Sequence, residues 1–273
     1  MSHLLRFPGF RLRAFTMSYD DGVFQDEKLI EIMKKNGLRG TFNIPSGFLD
    51  REGGRWLSRE RALEVYSQDG IEVAVHGVEH LKLPSLPTAV ATRDILFDRA
   101  ALEELFGGVI CGMAYAYGST SNKTLDVLRA SGIEYARTTV STRSFALPDN
   151  WLLLNPTCHH NDPELFGLLE KFLAKERNSF WSDTPRLFYV WGHSYEFDNH
   201  DNWDVIEKFA EEIGGRDDVY YATNGEIYRY VKAFEALRFS TDLKYVDNPT
   251  ATDLYINVLG KNILVPAGKT VKI

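Results

Sequence analysis

Two short segments of the chain carry side chains that could perform chemistry together. Asp20 and Asp21 end one apolar run, and His76 and His80 follow a second one. Two imidazoles and one carboxylate make a three-ligand site with an open position, which suits a divalent metal that must also hold water and substrate. The other carboxylate is then free to act as a base. The pair of motifs therefore favours an enzyme.

Each motif also has a simpler explanation. The Asp-Asp-Gly run at residues 20–22 is typical of a turn. A His-x-x-x-His pair often consists of ordinary surface or core histidines. The zincin motif H-E-x-x-H needs Glu directly after the first His, where this chain has Gly77. Because both motifs follow strand-like runs, we interpret them as one metal site.

Further histidines lie later in the chain. His193 ends the apolar run at residues 187–192 and could act as a general acid, because an imidazole of near-neutral pKa can protonate a departing amine. A structural histidine at a barrel rim is the alternative. Cys158, His159 and His160 form another cluster, for which a thiolate–histidine nucleophile is conceivable. A loop with a buried thiol is the simpler interpretation, although one imidazole could line the pocket.

The elements that must position these residues alternate between strand and helix. Apolar or alternating runs predict strands at residues 13–19, 39–44, 71–75, 113–117, 134–138, 151–155, 186–191 and 219–222. Helical periodicity covers residues 26–36, 58–68, 88–106, 122–130, 163–175, 203–213 and 224–236, with Ser58 and Asn122 as N-cap candidates. No Gly-rich phosphate loop follows the first strand, so a (β/α) barrel is favoured over an open doubly wound sheet. Catalytic groups are then expected at the C-terminal ends of several strands.

Length and pattern predict one catalytic domain with a small appendage. A chain of 273 residues with 44% hydrophobic residues can bury a core of barrel size. We expect residues 1–238 to form the catalytic domain. Residues 239–273 alternate in polarity around turn residues and are too few for their own core, so we expect a β-hairpin packed on the barrel.

Net charge and cysteine content limit which binding partners and which kinds of cysteine site are expected. The net charge of −7 and the absence of Lys/Arg clusters argue against nucleic acid or anionic membranes and favour a neutral or weakly charged substrate. Two separated cysteines suggest neither a disulfide framework nor a thiolate zinc site. No run has the length of a signal peptide core or a membrane span. We expect a cytoplasmic protein, although a trimmed secreted one would look the same.

The motifs resemble those of the polysaccharide deacetylase family, the carbohydrate esterases of family 4 that share the NodB homology domain and act on N-acetyl sugars. The family's T-F-D-D-G ends as residues 18–22 do, and its H-[ST]-x-x-H matches residues 76–80 with Gly77 in place of Ser or Thr. Its late L-x-H corresponds to residues 191–193. The resemblance covers about residues 13–235 and implies an α/β fold, a distorted (β/α)7 TIM-like barrel.

The resemblance also implies roles for the site residues. Asp20 is expected as the base and His193 as the acid. Asp21, His76 and His80 are expected to bind Zn²⁺, with Co²⁺ or Ni²⁺ as alternatives.

The chain departs from the family's middle motifs. The third motif, R-x-P-Y or Y-P-Y-G, appears as residues 114–118 and lacks the Arg that pairs with the catalytic Asp. Tyr117 could still supply a backbone N–H to the oxyanion. The fourth motif, D-x-x-D-W, is not recognisable, and Arg137, near its expected place, could replace the missing guanidinium. Trp191 and Tyr195 flank the expected acid and are pocket candidates.

Together these points predict a metal-dependent hydrolase that removes acetyl groups from N-acetylated sugars, with a carbohydrate or small amide as its partner. One alternative keeps the site but changes the substrate to an O-acetyl ester, a cyclic imide or another C–N amide. Another is an inactive barrel that only binds carbohydrate. The sequence leaves the sugar, the native metal, the roles of His159 and His160 and the oligomeric state open.

Overall fold

The computed structural model describes residues 4–174 and 184–273. Strands and helices alternate along most of this part of the chain. In chain order they are β1 (Leu5–Arg6), β2 (Arg13–Asp20), α1 (Gln25–Lys35), β3 (Gly40–Ile44), α2 (Arg59–Tyr66), β4 (Ile71–Val75), α3 (Thr88–Phe106), β5 (Gly112–Ala114), α4 (Asn122–Ala130), β6 (Tyr135–Arg137), β7 (Cys158–His159), α5 (Leu165–Leu173), β8 (Arg186–Gly192), α6 (Tyr195–His200), α7 (Trp203–Ile213), β9 (Val219–Tyr221), α8 (Asn224–Glu235), β10 (Arg238–Phe239), β11 (Tyr245–Asp247), β12 (Leu254–Val258), β13 (Lys261–Val265) and β14 (Thr270–Lys272).

A parallel sheet curls around the centre of the molecule. Its strand order is β6-β5-β4-β3-β2-β8-β7, and β9 pairs with the first half of β2. Leu154 forms a parallel bridge with Arg137 of β6, and β7, a few residues later, pairs with β8. The chain from Leu154 to β7 thus joins the two edges of the sheet. The predicted α/β fold with a (β/α)7 barrel is confirmed.

The sequence forms these elements for local reasons. Strand β2 is buried almost throughout, as a strand covered on both faces must be. Helices α2 and α8 have Ser58 and Thr223 as N-caps, and each hydroxyl accepts from the backbone N–H three residues further on. The helices predicted at 88–106, 122–130 and 203–213 have those bounds. The N-cap of α4, however, is Ser121 and not Asn122.

Two predicted strands are wrong in part. Residues 151–155 were expected to be a strand, but Trp151–Leu153 is a 3-10 turn, because the side chain of Asn150 accepts from the N–H of Leu152 and nucleates a turn. The strand expected at 113–117 ends at Ala114, and a turn carries Tyr117 with φ of 59°. Helix α6 was not predicted. The end of the helix expected at 163–175 lies outside the described residues.

The C-terminal extension has more strands than a single hairpin. Strand β12 pairs with β1 from the other end of the chain on one side and with β13 on the other, and β10, β11 and β14 form a second antiparallel sheet. Tyr230 links α8 to both β1 and β12, because its hydroxyl donates to the carbonyl of Arg6 (2.6 Å) and accepts from the N–H of Tyr255 (3.1 Å). The boundary between residues 238 and 239 stays a prediction. Among the described residues, no helix combines the length and apolar character needed to cross a membrane.

Candidate active site

The C-terminal ends of the parallel strands bring most of the predicted site residues to one rim of the barrel. Asp20 ends β2, Arg137 ends β6, His76 directly follows β4 and His193 directly follows β8. In a parallel barrel these ends lie on the same face, so residues far apart in sequence meet there.

Asp21, His76 and His80 form a compact group. The Nε2 atoms of His76 and His80 each lie 3.7 Å from Oδ1 of Asp21. One ligand atom from each residue lies within 4.8 Å of the other two. Asp21 and His80 have φ values of 84° and 52°, a left-handed conformation that is strained for residues with a Cβ. Such strain is typical of functional sites, where the surrounding structure holds it in place.

The tautomer of His76 suits metal binding. Its Nδ1 lies 2.9 Å from the carbonyl oxygen of Ala114, which can only accept, so Nδ1 carries the hydrogen and Nε2 keeps its lone pair. Nε2 of His76 and Oδ1 of Asp21 are buried without a hydrogen-bond partner among the described residues. A buried acceptor left in this way costs about 1–3 kcal/mol, and a cation would relieve that cost. The three side chains therefore fit a divalent metal.

The backbone of the histidine segment is held from behind by α3. Oδ2 of Asp98 accepts from the N–H groups of His76 (2.9 Å) and Gly77 (2.8 Å), and its Oδ1 accepts from that of Ser46 (2.7 Å). Burial raises the pKa of Asp98 to about 6, against the opposing effect of these hydrogen bonds. Gly77 has a φ of 82°, and a Cβ there would lie 2.5 Å from Oδ2 of Asp94. This chain thus needs glycine where the family pattern has Ser or Thr.

Asp20 is buried and paired with a cation. Nη2 of Arg137 donates to its Oδ2, and Nδ2 of Asn43 donates to its Oδ1 at 2.9 Å. Burial raises the pKa of Asp20, but the charge of Arg137, together with His76 and His193, outweighs burial and lowers that pKa to about 2. Asp20 is therefore ionised at neutral pH. The structure places the guanidinium that the third motif lacks against this carboxylate.

His193 lies between two carboxylates. Its Nε2 is 3.8 Å from Oδ2 of Asp20, and its Nδ1 is 3.3 Å from Oε1 of Glu196. Burial lowers the pKa of His193, but the hydrogen bond to Glu196 and the charge of Asp20 outweigh burial and raise it above the ordinary value. The imidazole is therefore held closer to its protonated form.

Glu196 is shared by three imidazoles. Its Oε2 lies 3.1 Å from Nε2 of both His159 and His160. Burial raises the pKa of Glu196, but its hydrogen bonds with His159, His160 and His193 outweigh burial and hold that pKa far below the ordinary range. We call these four residues the Glu196 network.

His159, His160 and Glu196 also satisfy the distances of a metal site, but the tautomers differ from that of His76. Nδ1 of His159 accepts from the N–H of Asn161 at 3.1 Å, so its Nε2 carries the hydrogen; this Nε2 lies 3.1 Å from Oε2 of Glu196. An N–H cannot bind a cation. His159 therefore does not fit a metal site through Nε2, although Nε2 of His160 and Oε2 of Glu196 are buried without a hydrogen-bond partner among the described residues.

Cys158 does not act with this cluster as a nucleophile. It is fully buried, and burial raises the pKa of its thiol to about 12. The reactive thiolate is therefore scarce at neutral pH. The simpler interpretation, a buried thiol beside a loop, agrees with the structure.

Residues 11–136 match the family model described as Polysaccharide deacetylase. The resemblance to this family is confirmed. A protein from Mycobacterium smegmatis assigned to the polysaccharide deacetylases superposes with a TM-score of 0.61 at 17% identity, over 85% of this chain and 94% of that one. A family 4 carbohydrate esterase from Streptomyces lividans gives 0.51 at 14% identity, over 77% and 92%. At such identities, the superpositions support the fold.

Other solved deacetylases extend beyond the matched region. This chain spans 61% of the length of one from Streptococcus pyogenes, with 21% identity over 50% of this chain and a TM-score of 0.47. No curated protein matches the chain.

The predicted substrate-facing residues of the deacetylase motifs differ in exposure. The ring of Tyr117 is 4.6 Å from that of His80, and the residue is 63% exposed. Tyr195 begins α6, with its ring 5.2 Å from that of His193. Trp191 is only 8% exposed and packs against the guanidinium of Arg137 (4.4 Å). Trp191 therefore supports the site from within, while the two tyrosines reach its open side.

Three residues that hold the site residues in place were not predicted from the sequence. Asn43, one residue before the end of β3, could have been found by the same strand-end argument as Asp20. Glu196 follows His193 at the i,i+3 spacing of a helix, but α6 has six residues and shows no periodicity. Asp98 lies in the middle of α3 and carries no motif.

Proposed function

We propose that this chain is a metal-dependent hydrolase that removes acetyl groups from N-acetylated sugars. The family match supports deacetylation, and the metal and the amide substrate are our extension of it. The observation that carries the proposal is the placement of an ionised Asp20 and a protonatable His193, 3.8 Å apart, beside the group formed by Asp21, His76 and His80. A base and an acid next to metal ligands are what amide hydrolysis requires.

Asp21, His76 and His80 would hold the metal, with Zn²⁺ as the first candidate and Co²⁺ or Ni²⁺ as alternatives. A divalent metal bound there supplies Lewis-acid polarisation of the acyl carbonyl and of water. The carbonyl of Ala114 fixes the ring of His76, so that one ligand is oriented in advance.

Asp20 accepts the proton of the attacking water. Arg137 keeps this carboxylate ionised, and the amide of Asn43 holds its other oxygen, so both oxygens have fixed positions. A base fixed in this way needs no reorganisation before it reacts.

His193 donates a proton to the departing amine. Glu196 accepts from Nδ1, which leaves Nε2 as the atom that faces the reaction. The positive charge that His193 carries before transfer is stabilised by Asp20 and Glu196. Acid catalysis of this kind contributes about 10²–10⁴-fold.

Tyr117, which is exposed, and Tyr195, which is half-buried, suit a sugar ring. Tyr117 offers an apolar face beside His80, and Tyr195 offers one beside His193. Aromatic faces of this kind combine apolar area with a polar tip, as an amphipathic sugar requires. We propose that a carbohydrate lies between them and that the backbone N–H of Tyr117 contributes to oxyanion binding.

Acetate release tests this function. We expect the zinc-loaded protein to release acetate from N-acetylglucosamine oligomers and to lose this activity in EDTA. Asp20→Asn should keep the metal, measured by elemental analysis, and lose at least about 100-fold in turnover. Turnover near that of the unsubstituted chain would remove Asp20 as the base.

A substrate panel separates the alternatives with the same site. Acetylated xylan tests an O-acetyl ester, and small cyclic imides test other C–N bonds. Sugar binding without acetate release in the presence of added Zn²⁺, Co²⁺ or Ni²⁺ would indicate an inactive binding barrel.

A further inference from the structure

The side chain of Arg55 lies near His193, the proposed general acid, and has no carboxylate partner among the described residues. The guanidinium carbon of Arg55 is 4.2 Å from the ring centroid of Tyr195, whose ring is 5.2 Å from that of His193. Among the described residues, no carboxylate lies within ion-pair distance of Arg55, and its side chain forms no hydrogen bond with them. Stacking on an aromatic face leaves the N–H groups at the edge of a guanidinium free to bind a ligand.

The backbone fixes where Arg55 can reach. Its carbonyl accepts from the N–H of Phe24 at 2.9 Å, and the N–H of Leu57 donates to the carbonyl of Gly22 at 3.0 Å. The segment that carries Arg55 is thus tied to the residues that directly follow Asp20 and Asp21. Its guanidinium therefore lies at the rim of the site, against the ring of Tyr195.

A second such cation lies on the side of the metal ligands. Nζ of Lys82 is 5.6 Å from the ring centroid of Tyr117, which is 4.6 Å from His80. In the part of the chain that the structure describes, Lys82 also lacks a carboxylate partner. Tyr117 and Tyr195 therefore each have a cation over the ring.

Other cationic side chains near the site form ion pairs with carboxylates. Arg51 pairs with Glu79 at 2.8 Å, and Arg59 pairs with Asp50 at 3.3 Å. Inside the site, Arg137 is paired with Asp20. Arg55 and Lys82 therefore carry positive charge at the rim that forms no ion pair with a described residue, although the whole chain has a net charge of −7. A local field of this sign attracts an anion.

We propose that the acetylated substrate carries a carboxylate, which Arg55 binds through its guanidinium while Lys82 adds to the attraction. This inference rests on the proposed function and gives it a substrate class, an acidic N-acetylated glycan. It replaces the neutral or weakly charged substrate that the overall charge favoured. A planar guanidinium can bind a carboxylate through two parallel hydrogen bonds, which selects for that group.

Two matched oligosaccharides test the inference. One is the tetramer of N-acetylglucosamine, and the other is a tetramer in which N-acetylglucosamine alternates with glucuronic acid. We expect the zinc-loaded enzyme to favour the acidic tetramer in kcat/KM by at least about 10-fold. Arg55→Gln should remove most of this preference, chiefly through KM, whereas Arg59→Gln, which alters a paired cation on the same side, should keep it.

The preference should also shrink in 0.5 M NaCl, because salt screens exposed charges. Equal kcat/KM for the two tetramers, or an equal loss for both in Arg55→Gln, would overturn the inference. N-acetylglucosamine 6-phosphate serves as a third substrate, and a stronger effect of Arg55→Gln on it than on the acidic tetramer would reject carboxylate as the recognised group.

Binding separates this inference from the proposed function. Calorimetry with Asp20→Asn measures the affinity for both tetramers without turnover. If the unsubstituted enzyme releases acetate from neither, the proposed function fails. The inference then still stands if the acidic tetramer binds more tightly and Arg55→Gln abolishes the difference, and it fails if the two bind alike.

Discussion

Arg137 at the end of β6 donates a hydrogen bond from Nη2 to Oδ2 of Asp20 at the end of β2, across the mouth of the barrel. Both side chains are almost completely buried. Asn43 and Trp191 hold the pair in place, one through a hydrogen bond to the carboxylate and the other as a ring under the guanidinium. The charge of the proposed base therefore depends on a residue 117 positions away in sequence.

Replacing Arg137 should damage both stability and turnover. Arg137→Met leaves Asp20 as a buried carboxylate without its cation, which costs about 3–5 kcal/mol and raises the pKa of Asp20. We expect kcat to fall by about 100-fold. Urea denaturation and acetate release measure the two effects.

Arg137→Lys is the matched control. It keeps the charge but loses the planar guanidinium, so its losses should be smaller. If Arg137→Met turns over like the unsubstituted chain, Asp20 does not need this partner.

The two histidine clusters should differ in metal binding. His76→Ala removes a lone pair that points at Asp21, so we expect the bound metal to fall to background in elemental analysis. His159→Ala removes an N–H donor and should leave the metal content unchanged. Loss of one metal equivalent in His159→Ala would show that the Glu196 network binds a cation after all.

Glu196→Gln should move the pH profile of the reaction. His193 acts as an acid while protonated, so activity is lost as pH rises through its pKa. Glu196 raises that pKa, and its removal should shift the alkaline limb of kcat to lower pH and lower kcat by about 10-fold or more. A role limited to packing would lower kcat without moving the limb. Glu207→Gln, an exposed carboxylate paired with Lys28, is the control and should leave the profile unchanged.

Much of the barrel could be predicted from periodicity, because its helices and long strands bury one face or both. The helix at 88–106 and the strand at 71–75 have the predicted bounds for this reason. Strand β7 could not be found in this way. It has two residues, and the preceding apolar run forms a turn capped by the side chain of Asn150. A side-chain hydrogen bond outweighed the apolar pattern there.

The candidate site was predictable where motif residues end strands, as with Asp20 and His76. The partners of those residues were harder to find, because they depend on which strands face each other. The motif comparison predicted Arg137 near its position in the sequence. Its contact with Asp20, however, exists only because the curled sheet brings the end of β6 opposite the end of β2. Glu196 acts through three imidazoles that the pairing of β7 with β8 brings together.

Asp26 should make stability depend on pH. It is buried at the start of α1, where its oxygens accept from the hydroxyls of Ser194 and Tyr66, both at 2.5 Å. Burial outweighs these bonds and raises its pKa from 3.8 to about 7. The folded state therefore holds a proton that the unfolded chain releases near pH 4. The stability from this proton is full below about pH 4 and is lost as pH rises through about 7.

The Asp26→Asn variant has no ionisable group at this position, so between pH 5 and pH 8 its free energy of unfolding should rise relative to that of the unsubstituted chain by about 2.5 kcal/mol. At pH 5 the variant should be no more stable than the unsubstituted chain, because the amide has one acceptor oxygen fewer for the two hydroxyls. Urea denaturation of EDTA-treated protein at both pH values measures the change. Asp198→Asn is the control, since the pKa of Asp198 is lowered by its hydrogen bonds with Trp203 and Gln25 and both states of that group are ionised above pH 5. Parallel stability curves for Asp26→Asn and the unsubstituted chain would mean that Asp26 ionises in the folded state as readily as in the unfolded one.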